Sequence, residues 1–251
     1  YAYDALSLVR RWPALVTTIH DVTPHPGDGD AAPGLQYSKA IGIWRSRRLI
    51  VHTDGMRDAL AARFRVNPDR IDVIAHGELG SLYRRLAEGA GRAHLRREPH
   101  TLLFFGRIWP YKGLRYLLGA FERVRRTLPD ARLMICGRGR DLDANRELID
   151  RLEGVEIDSS YIPVEAVAGL FERSAAVVLP YVEASQSGVS AVAFTTGTVV
   201  VASRVGGLAE QLFDGHTAVL VPPRDAAAMA QALVSLLHDS DRQQANRSEA
   251  L

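Results

Sequence analysis

From residue 101 onward the sequence alternates short apolar runs with longer amphipathic stretches, and this alternation constrains the fold more than any other feature of the chain. Each apolar run ends in a turn and gives way to helical periodicity, the pattern of buried parallel strands joined by crossover helices. The spacing predicts strands over 101–105, 132–136, around 155, 175–179, 198–202 and 219–221. Between them it predicts helices over about 113–127, 142–152 and 163–173, a small-residue helix after the polar turn 183–188, a short one after 204–207 and a last one over 226–238. In the first helix Leu114, Leu117, Leu118, Phe121 and Val124 recur at helical spacing. Six strands and their helices make one doubly wound α/β domain, in which ligands bind outside the carboxyl ends of the strands.

The region before it is less regular. Strands are predicted over 14–19, 49–52 and 69–75, with a Pro-, Gly- and Asp-rich loop over 22–34 and a helix over 54–64 opened by Asp54 as an acidic N-cap. Residues 76–100 are rich in Arg, Glu and Gly and lack strand character. The chain thus divides into a partial N-terminal unit (1–75), a hinge (76–100) and a C-terminal domain (101–251). The first 75 residues hold too few strands for a complete partner domain, and the chain opens on Tyr1, so upstream sequence is expected.

Composition narrows the function classes. A formal net charge of +2 gives no electrostatic footprint for nucleic acid. The arginines between 84 and 97 read as a solvated charged face. No apolar run approaches the roughly 18–20 residues of a membrane span, and no signal-peptide pattern opens the chain. Cys136 is the single cysteine, which excludes an intramolecular disulfide and fits a reducing, cytoplasmic compartment; its apolar run 133–136 points to packing rather than nucleophilic chemistry. The basic residues are almost all arginine. Only Lys39 and Lys112 are lysines, so a lysine in a Gly-rich turn stands out.

That lysine closes the strongest motif, Phe104-Phe105-Gly106-Arg107-Ile108-Trp109-Pro110-Tyr111-Lys112-Gly113. A strand ends in Gly106-Arg107, and five residues later Lys112 meets a helix start. Two cations beside a helix N-terminus would neutralise a diphosphate, including one that leaves as its bond to carbon breaks. Other strand ends carry Gly137-Arg138-Gly139, Tyr161-Ile162-Pro163, Pro180-Tyr181 with Gln186-Ser187-Gly188-Val189, and Gly206-Gly207-Leu208-Ala209-Glu210.

Taken in order, these segments resemble glycosyltransferase family 4, retaining enzymes of the two-Rossmann-domain GT-B type, in a variant with a Gln-Ser-Gly-Val donor loop. The resemblance runs from about residue 101 to 238, through Val200-Val201-Ala202-Ser203, Asp214-Gly215 and Val221-Pro222-Pro223. It implies a nucleoside-diphosphate sugar donor (UDP, GDP or ADP), no other cofactor, and transfer to a sugar or lipid-linked hydroxyl acceptor with retention. It assigns Arg107 and Lys112 to the diphosphate and His20, in Ile19-His20-Asp21, to the donor sugar. It also assigns Gly106, Gly137, Gly139, Tyr161, Ile162, Ser187, Gly188 and Val189 to the donor pocket, with Ile74-Ala75-His76-Gly77 as the hinge. Glu210 either orients the Gly206-Gly207 turn, reaches the donor, or is a helix first-turn carboxylate. Family members work at the cytoplasmic membrane surface, which implies peripheral contact.

One departure stands out. Where many family members have two glutamates eight positions apart, a gap-free match places Ala184 and Val192, and Glu183 misses the first position by one residue. A metal centre is the rival account of diphosphate neutralisation. Asp28-Gly29-Asp30 offers two carboxylates but sits in a loop without a strand to fix it, and the histidines show no ligand spacing, so no metal is expected. Two other readings stay open: a catalytically silent nucleotide-sugar-binding fragment or subunit, and a nucleotide-sugar epimerase of GT-B fold. An oxidoreductase would need a complete Gly-x-Gly-x-x-Gly turn, and the chain has only a fragment of one.

Overall fold

The computed structural model describes residues 15–24, 33–92, 95–212 and 218–239, with the side chains of 33–38 left out of that description. Asp28-Gly29-Asp30 and Asp214-Gly215 lie outside the described residues. The smaller unit contains β1 (Val16–Thr18), α1 (Pro33–Arg45), β2 (Arg48–Val51), α2 (Asp54–Phe64) and β3 (Ile71–Val73), with its three strands parallel in the order β1-β2-β3. Helix α1 carries a weak periodic signal: Ile43 is fully buried while Ile41 and Trp44 are exposed. The N-cap of α2 is Thr53 rather than Asp54. Thr53 has extended backbone, and its Oγ1 accepts from the Met56 N–H at 3.2 Å. Asp54 occupies the first turn, where the helix dipole favours a carboxylate.

Residues 76–100 lack strand character only as far as 97. They hold α3 (Gly80–Gly89), a helix bounded by glycines that conceal it in the sequence, and the start of β4 (Glu98–Phe105). Glu98 belongs to the sheet because it pairs in register with Ser174 and its carboxylate accepts from Arg173 Nε at 2.6 Å. Helix α3 docks on the larger unit. Its Gly80 lies so close to Thr195 that a Cβ there would come within 2.3 Å of the Thr195 Cβ, and Arg84 pairs with the buried Glu172 at 3.2 Å.

The larger unit continues with α4 (Leu114–Thr127), β5 (Arg132–Cys136), α5 (Arg140–Ala144), α6 (Arg146–Asp150), β6 (Val155–Asp158), α7 (Val164–Arg173) and β7 (Ser174–Leu179). It closes with α8 (Gly188–Thr196), β8 (Val199–Ser203), α9 (Gly206–Gln211), β9 (Ala218–Val221) and α10 (Ala226–His238). The single helix expected over 142–152 is two short ones, broken at Asn145, whose side-chain amide donates to the Asp141 carbonyl at 2.7 Å. All six strands are parallel, in the order β6-β5-β4-β7-β8-β9.

Both faces of this sheet are covered, and alternate residues serve opposite cores. Leu102, Phe104, Leu133, Ile135, Val199 and Val201 pack under α4 and α10, whereas Leu103, Met134, Cys136, Val177, Val200 and Ala202 pack under α7, α8 and α9. This is why the strands read as unbroken apolar runs. Burial pushes the Cys136 thiol up to about 11, so it is neutral packing material. Strand order reverses between β4 and β7, which opens a crevice at their carboxyl ends.

The loops beyond β4 and β5 meet backbone to backbone at that crevice. Gly106 N–H donates to the Cys136 carbonyl at 2.9 Å and Ile108 N–H to the Arg138 carbonyl at 3.0 Å. Gly137, at φ 141°, has no room for a side chain, since a Cβ would lie 1.9 Å from the Gly106 oxygen. Gly137→Ala should therefore cost about 2 kcal/mol or more in urea unfolding. Gly119→Ala, on α4 with a new Cβ only in ordinary contact with Ala226 at 3.6 Å, should be neutral or stabilising by up to about 1 kcal/mol. Equal losses at the two positions would show that close loop packing is not what Gly137 supplies.

Candidate active site at the strand-order reversal

Lys112 spans the reversal point. It closes the one-turn 3₁₀ segment Pro110–Lys112 after β4, and its Nζ donates to the hydroxyl of Tyr181, in the loop after β7, at 2.8 Å. The ammonium also stands over the Tyr181 ring, 4.7 Å from its centroid. The side chain is only 7 % exposed, and among the described residues no carboxylate pairs with it. A buried cation held by a hydroxyl and a π face has lost much of its hydration and gained no counter-charge. Such a group favours an anionic neighbour.

The surrounding backbone fixes its place. The loop enters α4 through Gly113 in left-handed conformation (φ 69°), where a Cβ would strike the Pro180 oxygen at 2.1 Å; Val182 N–H donates to the Tyr111 carbonyl at 2.8 Å. Gly106 lies directly beside Lys112 Nζ, and Val189 Cγ2 closes its other side. Val189 belongs to the first turn of α8. Ser187 caps that helix through its Oγ, which accepts from Ser190 N–H at 3.4 Å. The Gly188 and Val189 amides have no partner among the described residues. A cation and a helix N-terminus thus converge on one spot.

Two hollows open at the described surface, with Lys112 on the wall of neither. The larger, about 730 Å³, lies between the units and is lined by His52, Thr53, Asp54, Ala75, His76 and Glu78 on one side and by Ser187, Ser190, Ala191, Phe194, Glu210 and Gln211 on the other. The second, about 610 Å³, lies beyond the carboxyl ends of β4, β5 and β6, with Arg107, Trp109, Arg138, Gly139, Arg146 and Ser159 on its wall. Arg107 is exposed there, and Arg140 stacks over the Trp109 ring at 4.9 Å.

The remaining expected residues distribute unevenly. Gly139 packs against the backbone of Ile108. Tyr161 is 70 % exposed just beyond β6, and Ile162 packs on the core under α7. Glu183 is half-buried in the loop after Tyr181. Ala184 and Val192, the two positions the resemblance gives to glutamates, are both buried in that core. His20 is exposed beside His52, which lines the larger hollow, with its Nδ1 3.1 Å from His52 Nε2. No cluster of metal-ligating side chains occurs among the described residues.

Glu210 reaches neither the Gly206-Gly207 turn nor Lys112. Its carboxylate crosses to the smaller unit and accepts from Asp54 N–H at 2.8 Å and Gly55 N–H at 3.1 Å. With Thr53 taking the Met56 N–H, the first three amides of α2 are all satisfied, two of them by a residue from the other unit. A second strap runs from Glu78, whose carboxylate accepts from Ser81 N–H and Thr195 Oγ1, both at 3.0 Å. Neither strap was legible in the sequence, where a lone glutamate carries no address for a partner 156 positions away.

A Rossmann-type sheet with a buried lysine at its strand-order reversal, faced by a second parallel sheet, defines a two-unit α/β architecture. The profile of the family described as glycosyl transferases group 1 matches residues 99–239, and the chain belongs to that family. It is 32% identical to the D-inositol 3-phosphate glycosyltransferase of Frankia alni over 93% of this chain and 62% of that protein. It is 30% identical to the glycogen synthase of Mycobacterium tuberculosis over 95% of this chain and 58% of that protein. The chain thus spans about six-tenths of the length of these curated relatives. Among solved structures it resembles HepE of Anabaena in complex with UDP, with a TM-score of 0.74 at 18% identity, covering 99% of this chain and 69% of that one. The fold is of the GT-B type.

The cap across the units can be tested alone. Glu210→Ala should speed hydrogen exchange at the Asp54 and Gly55 amides about fivefold, as expected for loss of a cap worth about 1 kcal/mol, and leave α4 unchanged. Unaltered exchange at both amides would show that this helix end holds without Glu210.

Proposed function

We propose that this chain contributes to a retaining, metal-independent glycosyltransferase of family 4 that moves a sugar from a nucleoside-diphosphate donor to a hydroxyl acceptor. The observation that carries the reading is Lys112: a buried ammonium with no carboxylate partner among the described residues, at the strand-order reversal and beside the N-terminus of α8. The nucleoside would occupy the arginine-lined hollow, the diphosphate would meet Lys112, Arg107 and the Gly188 and Val189 amides, and the sugar and acceptor would share the cleft between the units. His20 and Glu183 are assigned to the sugar side. The bond between the anomeric carbon and the diphosphate breaks, a bond to the acceptor oxygen forms on the same face, and the acceptor proton passes to a diphosphate oxygen. Charge developing on that diphosphate is what the fixed cation and amides stabilise. A donor that is a UDP-sugar agrees with the UDP in the HepE structure.

The acceptor is proposed to be a sugar or lipid-linked hydroxyl in polysaccharide or glycoconjugate synthesis, with the protein in the cytoplasm and in peripheral contact with the membrane. Among the described residues no helix is long and apolar enough to cross a membrane.

A thermal-shift panel of UDP, GDP and ADP and their sugar conjugates tests the donor site directly. A ligand at about a hundred times its Kd should stabilise the protein by about 2.7 kcal/mol, several degrees in Tm for a chain of this size. The stabilisation should vanish in an Arg107→Ala, Lys112→Met double variant, in which methionine keeps the buried stem of the lysine. Stabilisation that survives in the double variant, or no response to any nucleotide in a cooperatively melting sample, would sink the assignment.

A further inference from the structure

Three histidines far apart in the sequence meet at the carboxyl ends of the smaller sheet: His20 after β1, His52 after β2 and His76 after β3. Two of them form a directed chain. His52 Nδ1 lies 3.0 Å from the Ile74 carbonyl, and His52 Nε2 lies 3.1 Å from His20 Nδ1. The His20 and His52 rings are tilted by 36° with centroids 5.0 Å apart.

The direction of the chain follows from one chemical fact. A carbonyl oxygen only accepts, so His52 Nδ1 must carry the hydrogen. A neutral imidazole carries one, so His52 Nε2 is bare and must accept from His20. His20 Nδ1 therefore holds the His20 hydrogen, and His20 Nε2 is a bare lone pair. We propose that His52 is the positioning residue for His20, fixing it in the Nδ1–H tautomer so that its Nε2 accepts from a hydroxyl group and offers nothing to an anion.

The consequence is a division of chemistry between the units. The larger unit presents donors, Lys112 and the start of α8, whereas neutral His20 presents an acceptor, which suits sugar hydroxyls and refuses phosphate. That the hydroxyl belongs to a sugar rests on the function proposed above; the tautomer does not. The neutral state is also favoured by the surroundings. Burial and the neighbouring His52 and His76 imidazoles hold His20 below the ordinary imidazole range, with Asp21 opposing. Acceptor character should thus persist at neutral pH and disappear on acidification below that range, when Nε2 takes the added proton.

The test reads the ring nitrogens themselves. Long-range proton–nitrogen correlation spectra of the whole chain at about pH 8, above the imidazole range, should show protonated Nδ1 and bare Nε2 for both His20 and His52. His52→Gln, whose amide oxygen can still accept, should leave the His20 pattern as it is. His52→Leu should release His20 toward the Nε2–H form that free imidazole prefers. An Nε2–H His20 in the parent protein, or a His20 pattern identical in the Leu variant, would overturn the proposal. Nucleotide-induced stabilisation is a separate measurement, so loss of either result leaves the other standing.

Discussion

The pairing of β4 with β7 is the interaction on which the rest of this structure depends. These strands are separated in sequence by two others, and their union in the middle of the sheet makes the chain wind outward in both directions. Loops leaving adjacent strands toward opposite faces cannot fill the space between their carboxyl ends. The Gly106–Gly113 loop and the Pro180 loop line that gap, and they meet through backbone, with Val182 N–H on the Tyr111 carbonyl, and through side chains, with Lys112 on the Tyr181 hydroxyl. Of the glycines that the family resemblance would place around a donor, Gly137 and Gly139 let the loop after β5 close on the backbone of Gly106 and Ile108, on the other side of β4.

Charge is handled in that gap in an unusual way for a protein interior. Burying an ammonium costs free energy that a carboxylate would ordinarily offset. Here Tyr181 supplies a hydroxyl and a ring instead, which hold the ammonium in place without cancelling its charge. The charge is left without a carboxylate against it among the described residues, in surroundings where it acts more strongly than in water. Arginine recruited to the same loop lies at the surface and can adjust its reach, so the fixed and the mobile cation differ in kind.

Much of the larger unit was legible because its strands are buried on both faces and therefore spelled as apolar runs, and because Leu114 to Val124 mark α4 at helical spacing. Helix α10 falls at the bounds its pattern predicts, Ala226–His238. The losses have physical causes. Glycines at both ends hide α3, Asn145 breaks a helix whose apolar period runs through it, and over residues 39–45 α1 buries Ile43 alone. Of the site, the motif from Gly106 to Lys112 was visible, since a lone lysine between glycines is a local signal. The place of His52 beside His20 and the reach of Glu210 to α2 were not, because strand ends and unit contacts are made by topology.

The Glu210 contact has a mechanical side. The first turn of α2 and the docking of the two units share the same carboxylate, so neither can loosen without the other. Separation of the units would leave two amides and one carboxylate to water, which solvates all three, so this contact by itself adds little to the gap between docked and undocked states. It aligns the two walls of the cleft more than it holds them together.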